Sequence, residues 1–83
     1  MGVDEVKVLL ALQRYYLGDI SFERVAEEAG ISVYELIEFV RQNDLRLVLT
    51  DEDRVEGLEK VSEMLEKRGI KSALRFAREA KPL

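Results

Sequence analysis

The sequence predicts a small all-α domain, and three observations lead there. Apolar residues recur at three- and four-residue steps through most of the chain. Capping residues and glycines punctuate those stretches where helices would begin and end. Only one stretch alternates like a strand, and one strand by itself has nothing to pair with. At 83 residues the chain is a single domain, with core enough to fold and little to spare.

Residues 3–17 read as a first helix, with Asp4 and Glu5 at its positive N-terminal end and Gly18 closing it. Val6, Val8, Leu9, Leu10, Leu12, Tyr15, Tyr16 and Leu17 are more apolar residues than one narrow stripe can hold. Such a helix is either central or lends one face to another chain.

Residues 19–42 read as helix, tight turn, helix, the pattern of a helix-turn-helix. Ser21 caps the first of these helices, and Val25, Ala26 and Ala29 form its inner side. Ala26 is small enough for close helix approach, Gly30 lets the chain reverse, and Ile31 fills the angle between the helices. Ser32 caps the second helix and, with Glu35, makes a capping box. Val33, Leu36, Ile37 and Val40 then form the expected apolar stripe.

Asn43 and Asp44 break the helical pattern. Over residues 45–50, Leu45, Leu47 and Leu49 alternate with Arg46, Val48 and Thr50, which predicts a short strand. With no intrachain mate, that strand is expected to pair with its copy in a twofold homodimer or with a partner's sheet edge. An extended connector is the competing reading.

A C-terminal helical pair is expected over residues 51–83. Thr50 followed by Asp51, Glu52 and Asp53 is a strong helix start. Val55, Leu58, Val61 and Leu65 mark the apolar side, with Met64 beside them. Gly57 inside this helix costs about 1 kcal/mol relative to alanine and invites a slight bend. Gly69 closes it. Ile70, Ala73, Leu74, Ala77 and Ala80 mark a last helix that Pro82 stops, and Lys71, Arg75 and Arg78 share one stripe of it.

Composition narrows the function. There is no cysteine and no histidine, so the chain lacks thiolate zinc ligands, the commonest metal ligand and the usual general base at neutral pH. Ser21, Ser32 and Ser62 have no base to activate them, and no glycine-rich phosphate loop is present. The acidic cluster Asp51, Glu52, Asp53 and Glu56 lacks the spacing of a calcium loop. Neither an enzyme nor a cofactor or metal site is expected. The abundant charges and scarce side-chain amides suit a heat-adapted protein, and the lack of a long apolar run points to the cytoplasm rather than a membrane. The net charge of −4 is unevenly spread: 14 acidic and 6 basic residues precede Lys60, and 7 basic and 3 acidic residues follow from there. A polyanion or an acidic partner would therefore meet the C-terminal end, unless the charges are simply a solvated face.

Read as a DNA-binding motif, residues 32–42 would enter the major groove, with Ser32, Tyr34, Glu38 and Arg41 facing double-stranded DNA. Only Arg41 is positive there, so phosphate contacts would come from Arg14, Arg24, Arg46 or the last helix. The alternative is a helical interaction or scaffold module with no nucleic-acid role.

Leu12, Tyr15 or Tyr16, Gly18, Ile20, Ser21, Val25, Ala26, Ala29, Gly30, Ile31, Ser32, Leu36 and Ile37 carry a further signal. Their pattern resembles a family of small prokaryotic helix-turn-helix proteins commonly encoded beside PIN-like toxin ribonucleases and regarded as antitoxins. The resemblance covers a little over half the chain. It implies a protein that binds and neutralises a toxin ribonuclease and represses its own operon by binding DNA. It further implies that Lys71, Arg75 and Arg78, beyond the resembling region, contact the toxin or phosphate.

Overall fold

The computed structural model describes residues 4–68. Four helices make up that region: α1 (Glu5–Leu17), α2 (Phe22–Ala29), α3 (Val33–Gln42) and α4 (Asp51–Lys67). There is no strand among the described residues. The all-α expectation holds. The last helix expected from Ile70 onward, with its Lys71, Arg75 and Arg78 stripe, lies outside the described residues.

The core forms around α1, which packs against α4 and α2, while α3 packs on α2. Val8, Leu9, Leu12 and Tyr16 are fully buried, each aliphatic contributing roughly 1.5–3 kcal/mol by leaving water. The broad apolar surface of α1 thus reflects a central position, although Leu10 and Leu17 remain exposed. The helix also starts later than the sequence suggests. Asp4 is its cap, accepting the Lys7 amide at 3.3 Å, rather than a first-turn residue.

The α2–α3 reversal follows the expected local rules. Ser21 Oγ accepts the Arg24 amide at 3.1 Å. Gly30 adopts φ 72°, a left-handed backbone that an ordinary side chain resists. Its amide and that of Ile31 then satisfy the Glu27 and Ala26 carbonyls at 3.2 and 3.0 Å. Both halves of the Ser32–Glu35 capping box form, at 3.0 and 2.9 Å.

The inner stripe of α3 differs from the expected one. Leu36, Phe39 and Val40 are buried, whereas Val33 and Ile37 are 39% and 44% exposed. The helix is turned so that the large Phe39 ring goes inward, because it removes more apolar area from water than Ile37 would.

The short strand expected over residues 45–50 does not form. Those residues are an irregular connector, and Leu45, Leu47 and Leu49 do not share a face. Leu45 is in the core, Leu47 is half exposed and Leu49 is 86% exposed. The physical reason lies in α1, α3 and α4, which supply hydrogen bonds that a ladder would otherwise provide. Tyr16 Oη donates to the Arg46 carbonyl at 2.6 Å, and Tyr15 Oη accepts the Val48 amide at 2.9 Å. Asp53 accepts the Leu49 and Thr50 amides at 3.2 and 3.1 Å, and the Leu45 amide reaches the Val40 carbonyl at 2.9 Å. With those amides satisfied within the chain, the argument for strand pairing across a homodimer loses its premise.

Gly57 likewise has a role other than bending α4. It is buried against the Tyr16 ring, and a Cβ there would overlap the ring carbons. The ends of α1 and α4 meet in antiparallel fashion, with Arg68 Nε donating to Glu5 Oε1 at 2.9 Å.

Candidate functional site

The candidate surface is the outward side of α3 and the connector beside it. Tyr34 is 74% exposed, and Val33, Ile37 and Leu47 add apolar area around it. Phe22, Ile37, Val40, Arg41, Leu45 and Leu47 line a cleft of about 200 Å³. A free α3 outward face would normally be polar; this one mixes exposed apolar side chains with carboxylates.

Each residue expected to face DNA is placed on or beside this side, but several are already engaged. Ser32 and Glu35 are occupied by the capping box. Arg41 lies 3.5 Å from Glu38 in an ion pair across one helical turn. Tyr34 stands clear of both. The more distant phosphate candidates are also paired with carboxylates. Arg14 meets Glu28 at 2.9 Å, Arg24 meets Glu27 and Glu28 at 3.1 and 3.2 Å, and Arg46 lies 3.6 Å from Asp53. These are exposed or part-exposed pairs of small energetic value, yet each places a negative charge where a phosphate would have to come. Lys71, Arg75 and Arg78 lie outside the described residues.

The tyrosines form a separate polar cluster that serves the fold. Tyr15 and Tyr16 meet edge to face at 5.0 Å between ring centres, and Tyr15 also meets Phe22 at 5.5 Å. Burial pushes the Tyr16 hydroxyl up to about 12, with the Tyr15 and Asp53 charges adding to the rise. It stays protonated at any ordinary pH and keeps its bond to the Arg46 carbonyl.

Sequence reasoning assigned Val33 and Ile37 to the interior and so missed them as surface residues. A signal was present: Val33, Leu36, Ile37, Phe39 and Val40 within one ten-residue helix exceed what one buried stripe requires. Among the described residues, no three acidic side chains are drawn together as a metal site would need, and no helix is long and apolar enough to cross a membrane. No protein-family model matches the chain, and neither the curated proteins nor the solved structures compared with it include a match.

Proposed function

We propose that this chain is a partner-binding regulator of the antitoxin kind, a helix-turn-helix module that presents the outward side of α3 to a protein. The observation that carries the reading is the character of that side. Val33, Tyr34 and Ile37 are exposed next to Glu35 and Glu38, and the single cation, Arg41, is paired with Glu38. Apolar anchors among carboxylates fit a basic protein surface better than they fit a polyanion. A ribonuclease holds its RNA on such a basic surface, and the resemblance in residues 12–37 supplies that class of partner.

The reading expects a ribonuclease gene beside this one, and the test is co-expression of the chain with that ribonuclease. The intact chain is expected to restore growth, and Ile37→Asp to abolish the rescue while leaving the helical circular dichroism unchanged. Rescue by Ile37→Asp would remove α3 as the docking surface. Failure of the intact chain to rescue would remove the antitoxin reading.

DNA binding is the second reading, favoured by the short, doubly capped α2–Gly30–α3 reversal. In that reading two copies bind successive major grooves, with Ser32, Tyr34, Glu38 and Arg41 toward the bases. Fluorescence anisotropy on the duplex upstream of the gene, against a scrambled duplex, decides it. Preference for the upstream duplex with a steep salt dependence supports DNA reading, whereas equal feeble binding refutes it.

A further inference from the structure

A second apolar face lies along α1 and α4, on the side away from α3. At about 100° per residue, Val6, Leu10 and Leu17 share one side of α1, and Val55, Leu58 and Ser62 share one side of α4. Leu10 is 39% exposed, and Leu17 and Val55 are each 55% exposed. The opposite side of α4 meets the connector that follows α3, where Lys60 Nζ donates to the Asp44 carbonyl at 2.9 Å. Three contacts fix how the two helices run: Glu5 meets Arg68, Tyr16 packs on Gly57, and Gly18 lies beside Arg54. The helices are antiparallel in a single register, which sets Lys7 level with Glu66, Arg14 with Glu59 and Leu17 with Val55. The two edges of the face carry opposite charge. Lys7 and Arg14 stand beyond Leu10 on the edge turned from α4, and Glu59 and Glu66 stand beyond Val55 on the edge turned from α1. All four are exposed, and among the described residues only Arg14 has an ion pair, with Glu28 of α2.

We propose that this face pairs with the same face of a second copy of the chain, about a twofold axis parallel to α1 and α4. The product is an antiparallel four-helix bundle. Rotation about such an axis keeps every residue at its own height and lays α1 of one copy over α4 of the other. The register fixed within the chain therefore becomes the register between chains. Leu17 meets Val55 of the second copy, and Leu10 meets the small Ser62, with Leu58 one turn away. At the shared edge Lys7 meets Glu66 of the second copy, and Arg14 meets Glu59. The charge pattern is what identifies the occupant. One edge is basic and the other acidic at matching heights, so the face complements itself better than it complements a partner of uniform charge. The pairing also limits what the dimer can do. Its two α3 sides point away from each other, so it offers them to two separate partner molecules and cannot lay both along one side of a duplex. The assignment rests on α1 and α4 and stands independently of the α3 surface.

Sedimentation equilibrium of the full-length protein over a concentration series tests this. A species of twice the chain mass is expected. Lys7→Glu and Glu66→Lys should each weaken the dimer about tenfold, because each change acts twice in a twofold interface, and the two together should restore it. Leu17→Asp should give a monomer with its helical circular dichroism unchanged, and Ile37→Asp should leave the dimer intact. A chain that stays monomeric throughout the series would overturn the proposal, as would a dimer that survives Leu17→Asp. A double charge reversal as weak as either single change would overturn the register. Loss of the dimer in Ile37→Asp but not in Leu17→Asp would place the interface at α3 and refute the assignment.

Discussion

Gly57→Ala should destabilise this protein, although the same change in most helix interiors stabilises. The helix-propensity gain is about 1 kcal/mol. Against it stands the ring of Tyr16, which the new methyl would overlap at three ring carbons. That ring cannot simply move aside. It is fully buried, packed edge-on against Tyr15, and held by its hydroxyl at 2.6 Å from the Arg46 carbonyl. Overpacking at such a site costs about 3 kcal/mol, and displacing the ring would forfeit a further hydrogen bond worth about 1 kcal/mol. The net loss is about 2–3 kcal/mol, which for a domain of this size lowers Tm by roughly 10–20 °C. Thermal and urea unfolding followed by circular dichroism would measure it. The Tyr16→Leu background provides the control: with the ring gone, Gly57→Ala should become neutral or stabilising. A Gly57→Ala protein with raised Tm, or a coupling between the two sites below about 0.5 kcal/mol, would refute the packing argument.

Two further outcomes follow from the same connector. Tyr16 has its hydroxyl pushed up to about 12 from an ordinary value near 10, chiefly by burial. The unfolded chain therefore ionises first, so this contribution to stability is intact below pH 10 and declines as pH rises to 12, by up to about 3 kcal/mol. Tyr16→Phe should flatten that part of the pH profile; an unchanged slope between pH 10 and 12 would exclude Tyr16 as its source. Asp53→Ala should leave the Leu49 and Thr50 amides without their acceptor and remove half of the α4 capping box, costing about 1–2 kcal/mol. Hydrogen exchange at those two amides should quicken more than at Leu45, whose amide is held by the Val40 carbonyl; equal protection in both proteins would contradict this.

Local chemistry made much of the fold legible. Ser21, Gly30, Ser32 and Thr50 each act over three or four residues, within reach of the chain's own backbone, and the boundaries they announced are the boundaries of α2, α3 and α4. The candidate surface was less legible because it depends on rotation about a helix axis. Periodicity says that Val33, Leu36, Ile37, Phe39 and Val40 cannot all be buried, and only the packing of α3 on α2 selects Leu36, Phe39 and Val40. Residues 45–50 failed for a related reason. Their alternation is real, but two of the groups that satisfy them, Tyr15 and Tyr16, are about thirty residues away and leave no trace in local spacing.

The sequence alone determined that the domain is helical, where its helices turn, and that cysteine and histidine chemistry is absent, since these follow from composition and short-range capping. Tertiary structure decided which side of α3 meets solvent, why residues 45–50 need no strand partner, and why Gly57 is a glycine. Each of those depends on a contact between segments far apart in the chain, where only packing brings the atoms together.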